Sequence, residues 1–339
     1  MRGDTASIWG GDMRDLIRRR PLVTFYVAAV LIGIAAMLFR DATPEWFVAF
    51  MQWLQERQLP GNVVTLVVYS LENQPAFLKT MLFPAAPTLA ALLIVAIGWG
   101  RAGLVELFSR LLPWRGPVGW RRGLAVYGTI TVIYIALALL MMVRSHQSGS
   151  HQGLDLVLGS LGTLPIVMLG MLAVLPYVDG GALLEELGWR GYMLPRMLEF
   201  FRTPLVAAIV LGVLWGLWHM PRDLPVFMAG SEAFAARFGG LGGYVYEWVM
   251  FSLGTVMITI ICTYAFNLTG GSALAAILVH GAANTISVNI LRLTGGRMIE
   301  WGGIQWDVTD LYIWPIAIAI VVLAGPQLGR IATPADPRR

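Results

Sequence analysis

The chain has 339 residues, 57% of them hydrophobic and only 13% charged, with a mean hydropathy of +0.68. A soluble domain carries about 25% charged residues. Twenty-four Lys+Arg and twenty Asp+Glu cannot coat a water-facing surface of this size, so a soluble, disordered or fibrous protein is excluded. The net charge of +4 reports topology in a lipid-solvated chain, and no nucleic-acid partner is expected.

Residues 1–21 form a basic segment with Arg14, Arg18, Arg19 and Arg20 ahead of a first apolar run at 22–39. That run is long for a signal-peptide core and no small-residue cleavage site follows it, so it reads as a retained anchor. Residues 45–58 (EWFVAFMQWLQERQ) place Trp46, Phe50, Trp53 and Leu54 at helical spacing. Such a stripe suits a helix lying on the outer surface or one capping the bundle. Further runs near the ~20 residues that cross hydrocarbon follow at 81–99, 123–143, 154–178, a broken stretch from 182 to 220, 244–268, 272–290 and 309–328. The expected fold is an all-α polytopic membrane helix bundle of about eight transmembrane helices. It divides into a cytoplasmic segment 1–21, a first helix with an outer interfacial helix 22–80, a core 81–290, a last loop and helix 291–328, and a cytoplasmic tail 329–339. Cys262, the single cysteine, cannot form an internal disulfide and reads as a packing residue.

Charge sets the orientation. With the N-terminus inside, segments 1–21, 101–122, 179–203 and 329–339 carry sixteen of the twenty-four basic residues and the outer segments eight. That bias has the sign of cytoplasmic loops, and both termini are expected in the cytoplasm. All the basic residues but Lys79 are arginine, which suits a GC-rich bacterial genome and hence the bacterial inner (plasma) membrane.

An ionisable group inside a membrane is costly and marks a functional site by default. ALLEELGWRGYMLPRMLEFFR gives Glu185, Glu186 and Arg190; LGVLWGLWHMP gives His219; SALAAILVHGAANTISVN gives His280 and Asn284. His146 and His151 fall in a polar loop and read as surface residues. Glu186 and Arg190 stand four residues apart, as do His280 and Asn284, so each pair shares a helix face. Measured from a turn at Arg202–Pro204, Glu186 and His219 are 17 and 16 residues away and lie at one level. His280 reaches that level if the turn at Thr269–Gly271 sits about 9 Å deeper in the membrane. Gly212 and Gly216 form a GxxxG pair for close helix approach.

A glutamate and a histidine at one level can activate water and then protonate a leaving amine. A second histidine and an amide can donate to an oxyanion. Two carboxylates in different surroundings take different roles. The same side chains also leave open a divalent metal such as zinc, held by Glu185, His219 and His280. A proton-coupled transporter is a third use of such a set.

EExxxR at Glu185–Arg190, aromatic-xxx-His at Trp215–His219 and HxxxN at His280–Asn284 resemble the three motifs of the CPBP (CAAX protease and bacteriocin-processing) intramembrane proteases, relatives of the type II CAAX prenyl endopeptidases. The resemblance covers about 80–290. It implies a peptide hydrolase in which Glu185 and His219 activate water, His280 and Asn284 form the oxyanion hole, and Glu186 and Arg190 order the site. The family is called metalloprotease, and a metal-free glutamate mechanism is also argued for it. Its second motif often has Phe where this chain has Trp215, a swap that keeps an aromatic wall. The implied partners are the lipid bilayer and a peptide or membrane-protein substrate, with access from the cytoplasmic side expected because the motif helix adjoins the arginine-rich loops. A non-proteolytic bacteriocin-immunity or binding module on the same fold is the alternative.

Overall fold

A computed structural model describes residues 8–39, 44–57, 59–147, 170, 172–290, 298–301, 304–307 and 310–330. Its helices are α1 (Ile8–Arg19), α2 (Pro21–Leu38), α3 (Pro44–Glu56), α4 (Val63–Glu72), α5 (Leu82–Ser109), α6 (Trp120–Gln147), α7 (Gly180–Glu186), α8 (Leu194–Phe201), α9 (Pro204–Trp218), α10 (Leu224–Met228), α11 (Ser231–Phe238), α12 (Leu241–Leu268), α13 (Ala273–Asn284) and α14 (Asp310–Ala324). Among the described residues, five helical stretches are long and apolar enough to cross a membrane: Pro21–Leu38, Pro75–Ser109, Trp120–Met141, Pro204–Met228 and Leu241–Leu268. Ala273–Ser287 and Leu311–Gln327 are shorter apolar helices on two further expected runs. The protein is an integral membrane helix bundle. Most of the expected span at 154–178, together with His151, the His146 side chain and the tail from 331, lies outside the described residues. The departure from an all-α fold is a two-stranded antiparallel hairpin, Met298–Trp301 with Ile304–Asp307.

α13 is the centre of the bundle. All but Leu274 and Asn284 of its residues are buried, and its alanines and Gly281 let neighbours approach. A β-carbon on Gly281 would meet the Pro176 carbonyl oxygen at 1.9 Å, so the chain entering α7 passes directly over that glycine. The GxxxG pair works the same way against α12: Gly212 faces the Val256 backbone and Gly216 faces Thr255 and Ser252. Turn residues stop the helices where the sequence placed them. Arg202, in the left-handed region at φ 59°, ends α8 just before Pro204 opens α9. Cys262 is fully buried, with its sulfur near the Ala276 carbonyl at 3.8 Å, as packing requires.

Of the two readings for 45–58, the structure takes the capping one. In α3, Phe50, Trp53 and Leu54 are buried, and Phe50 packs at a tilt against Tyr69 of α4 and against Phe77 at ring separations of 5.1 and 5.4 Å. The apolar stripe is therefore spent on protein rather than on headgroups.

Gly188 lies against Pro87 of α5, where an added β-carbon would sit 2.4 Å from the Pro87 carbonyl carbon. Overpacking of this kind costs about 1–3 kcal/mol. Gly188→Ala is expected to lower the thermal midpoint in detergent, whereas Gly128→Ala, with nothing within 4 Å, leaves it unchanged or raises it slightly.

Candidate active site

The EExxxR segment is built at a junction between two helix types. Asp179 has an extended backbone and its carboxylate accepts from Ala182 N at 2.8 Å, so α7 begins at Gly180 as an N-capped helix. The Gly180–Gly181 pair thus starts the helix rather than interrupting it. Glu185 and Glu186 are the last residues of α7, and Leu187–Met193 continues as a π-helical turn. Wide turns of this type occur frequently at functional sites. Every residue of this one is buried, Arg190 included.

Arg190 donates from Nη1 to Glu186 Oε1 at 2.6 Å and from Nη2 to Thr259 Oγ1 of α12 at 2.9 Å. Its guanidinium lies over the Trp215 ring at 4.6 Å. Both partners of the ion pair are at 0% exposure. Glu186 Oε1 also faces His280 Nδ1 at 2.8 Å, so one oxygen serves a guanidinium and an imidazole. The expected meeting of the first and third motifs is made at this atom.

The chain of bonds continues outward. Asn284 Nδ2 donates to Asp179 Oδ1 at 2.9 Å and lies 3.1 Å from His280 Nε2. One amide hydrogen is committed to Asp179, so the other points at the Nε2 lone pair. His280 is then the Nδ1–H tautomer, and that proton is donated to Glu186. Asp179, Asn284, His280, Glu186, Arg190 and Thr259 form one connected series linking the start of α7, α13 and α12.

Trp215 organises the remaining groups. Its indole Nε1 donates to Glu185 Oε2 at 2.8 Å, and its carbonyl lies 2.8 Å from His219 Nδ1. Its ring meets the His280 ring edge-on at 4.8 Å and the His219 ring at 5.7 Å. Glu185 keeps Oε1 on the side of Gly181, 3.4 Å from where a β-carbon on that glycine would stand. With Nδ1 directed at the carbonyl, His219 has Nε2 available as an acceptor. Glu185, His219 and His280 are 4%, 8% and 4% exposed, and Asn284 is half-buried.

Zinc ligation by Glu185, His219 and His280 does not fit this arrangement. Both ring nitrogens of His280 are engaged, by Glu186 and by Asn284. Among the described residues no group of three or more His, Cys, Asp or Glu side chains is placed to hold a metal ion.

All six residues singled out in the sequence thus enter one hydrogen-bonded and ring-contact cluster. Two members, Asp179 and Thr259, were not singled out, and Trp215 was read only as an aromatic wall. Asp179 had a local signal, an N-cap residue ahead of Gly-Gly. Trp215 had one too, since its motif position carries an N–H that Phe lacks. Thr259 had none, being one threonine among many on a long apolar helix.

α12 serves as a ruler for the depth of the cluster. His219 packs on Phe251 at 5.0 Å and Arg190 bonds Thr259 at 2.9 Å, while Glu247 pairs with Arg237 at one end of the helix and Asn267 bonds the Leu328 carbonyl at the other. Phe251 is about 6 Å from the Glu247 level and Thr259 about 12 Å from that of Asn267, so the cluster occupies the middle of the bundle. Arg14 and Arg18 on the Gly98 carbonyl, Arg110 and Arg115 on Glu106, and Arg330 on the Leu198 carbonyl gather at the Asn267 end.

As a class, this is an integral membrane helix bundle with a buried, hydrogen-bonded cluster of carboxylates, imidazoles, an amide and a guanidinium. Residues 165–286, which hold all six residues, match the family model described as Type II CAAX prenyl endopeptidase Rce1-like. The match agrees with the resemblance carried by the three motifs and supports, at family level, an intramembrane CAAX-type protease. No curated protein and no solved structure matches the chain.

Replacing Asp179 by Ala removes both the cap of α7 and the acceptor for Asn284, and is expected to destabilise the protein by about 1–2 kcal/mol in thermal unfolding. Asp179→Asn keeps an acceptor oxygen and should retain most of that stability. Equal losses for the two substitutions would contradict the assignment.

Proposed function

We propose that the protein is an intramembrane endopeptidase of the bacterial plasma membrane, with both termini cytoplasmic, that hydrolyses a peptide bond of a membrane-associated or peptide substrate. The observation that carries this reading is the unequal use of two adjacent carboxylates. Glu186 Oε1 is occupied by Arg190 and His280, whereas Glu185 is held at Oε2 by Trp215 and keeps Oε1 toward Gly181. Glu186 is suited to order the site and Glu185 to move protons.

In this scheme Glu185, linked to His219 through Trp215, takes a proton from water as the water oxygen attacks the scissile carbonyl carbon. A tetrahedral intermediate forms, the C–N bond breaks, and Glu185 returns the proton to the leaving amine. Asn284 and His280 are assigned to the developing oxyanion, His280 donating only once its Nε2 carries a proton. The amide hydrogens of Asn284 serve Asp179 and His280 in the resting arrangement, so donation to the oxyanion requires the substrate carbonyl to displace one of those contacts. No step is routed through a metal.

The test is cleavage of quenched peptides by purified protein in detergent. Glu185→Gln and His219→Ala should each lower the rate by about 10²–10⁴-fold with little change in thermal midpoint. Trp215→Phe keeps the ring and removes one N–H to an ionised oxygen, a bond of about 1.5–3 kcal/mol, so kcat should fall about tenfold or more with KM little changed. Undiminished cleavage by both Glu185→Gln and His219→Ala would overturn the reading in favour of a binding or immunity module.

A further inference from the structure

Arg18, Arg19 and Arg20 join α1 to the membrane-spanning α2, and Arg14 stands one turn before them. α1 packs on α5 through Ile17, which is 1% exposed; a β-carbon added to Gly98 would lie 2.9 Å from its Cγ2. Met13 and Leu16 fall on the same apolar stripe of α1 yet are 52% and 50% exposed. In a lipid-solvated chain, a basic helix with such a stripe lies where hydrocarbon meets headgroups.

Gly98 stands just before a break in α5. Gly100 has non-helical angles, φ 62° and ψ −150°, and kinks the helix there. Carbonyls at such a break draw side-chain donors, and basic side chains suit them. Two arginines take this one: Arg18 Nε donates to the Gly98 carbonyl at 2.9 Å and Arg14 Nε at 3.3 Å.

Capping a single carbonyl does not require two cations. Guanidiniums that converge on one oxygen repel each other unless an anion joins them. Elsewhere at the same end the chain supplies that anion itself, since Arg110 and Arg115 share Glu106 at 2.9 and 2.8 Å. Arg14 and Arg18 form no ion pair among the described residues, and both are exposed, as are Arg19, Arg20 and Arg101. Each uses only Nε on Gly98, which leaves the Nη hydrogens of two adjacent forks for an acceptor. Paired forks of this kind match the oxygens of a phosphate. On the membrane side of Gly98, Leu93 and Ile97 of α5 are exposed and offer an apolar track for acyl chains. A lipid satisfies both halves of this surface, whereas a free phosphate satisfies one.

We propose that Arg14 and Arg18 form a binding site for the phosphodiester headgroup of an anionic phospholipid, whose acyl chains run along Leu93 and Ile97. The bound lipid holds α1 against the kink of α5. Its occupancy is read without any cleavage assay.

The experiment follows the thermal midpoint of the full chain in neutral detergent micelles as phosphatidylglycerol, phosphatidylcholine or glycerol 3-phosphate is added. Phosphatidylglycerol should raise the midpoint more than phosphatidylcholine does, with the excess reduced at high salt, and glycerol 3-phosphate should leave it in place. In Arg14→Gln/Arg18→Gln the phosphatidylglycerol concentration giving half the shift should rise at least about tenfold. Arg121→Gln/Arg122→Gln, which removes two exposed arginines at the start of α6, should retain the wild-type response. If the first double variant does not fold, Arg14→Gln alone, at the longer of the two contacts, takes its place. Equal responses of the wild type to the two phospholipids, or an undiminished response in the Arg14 and Arg18 variants, overturns the proposal. A shift with glycerol 3-phosphate equal to that with phosphatidylglycerol also overturns it, in favour of a soluble phosphate ligand.

Discussion

A carboxylate and a guanidinium at zero exposure, 2.6 Å apart within a lipid-solvated bundle, are the constraint on which the rest of the structure depends. Desolvating two such ions is costly, and their mutual attraction offsets that cost only when geometry is good and the remaining polar atoms find partners. The surrounding elements supply most of those partners, leaving Glu186 Oε2 and Arg190 Nε buried without one. Thr259 of α12 accepts from Arg190, Trp215 of α9 offers a ring face, and His280 of α13 donates to the oxygen that Arg190 also uses. Three helices distant in sequence are thereby held to the π turn that follows α7. The glycines make this approach attainable, since Gly188, Gly212 and Gly281 each face backbone where a β-carbon would collide.

The pair also separates the work of two neighbouring glutamates. In the proposed mechanism Glu186, bound by Arg190 and His280, is an anchor rather than a base. Glu185 is turned the other way, held by one N–H from Trp215, and retains an oxygen near Gly181. The series from Asp179 through Asn284 to His280 sets the tautomer of the histidine and so decides which carboxylate receives its proton.

Much of this was legible in the sequence. Apolar runs mark the spans because hydrocarbon demands about 20 residues of them, and ionisable residues inside such runs are few enough to stand out. The four-residue spacings of Glu186–Arg190 and His280–Asn284 gave the shared faces, and counting rise from the turns gave the common level of Glu186 and His219. The Trp215–Glu185 bond was not legible. An aromatic residue at that place reads as a wall, and only the geometry shows its N–H aimed at a carboxylate. For α3, the stripe at Phe50, Trp53 and Leu54 fits headgroups or a protein neighbour equally well, and the choice depended on Tyr69 and Phe77 from elsewhere in the chain.

The dependence of the site on the buried ion pair is tested most directly by a double-mutant cycle of Glu186→Leu and Arg190→Met, with unfolding free energies measured in bicelles. Removing one partner strands the other charge, which should cost about 3–5 kcal/mol in each single mutant. The double mutant should recover a large part of that loss, because no unpaired ion remains. Two small single-mutant effects, or losses that simply add in the double mutant, would contradict the account.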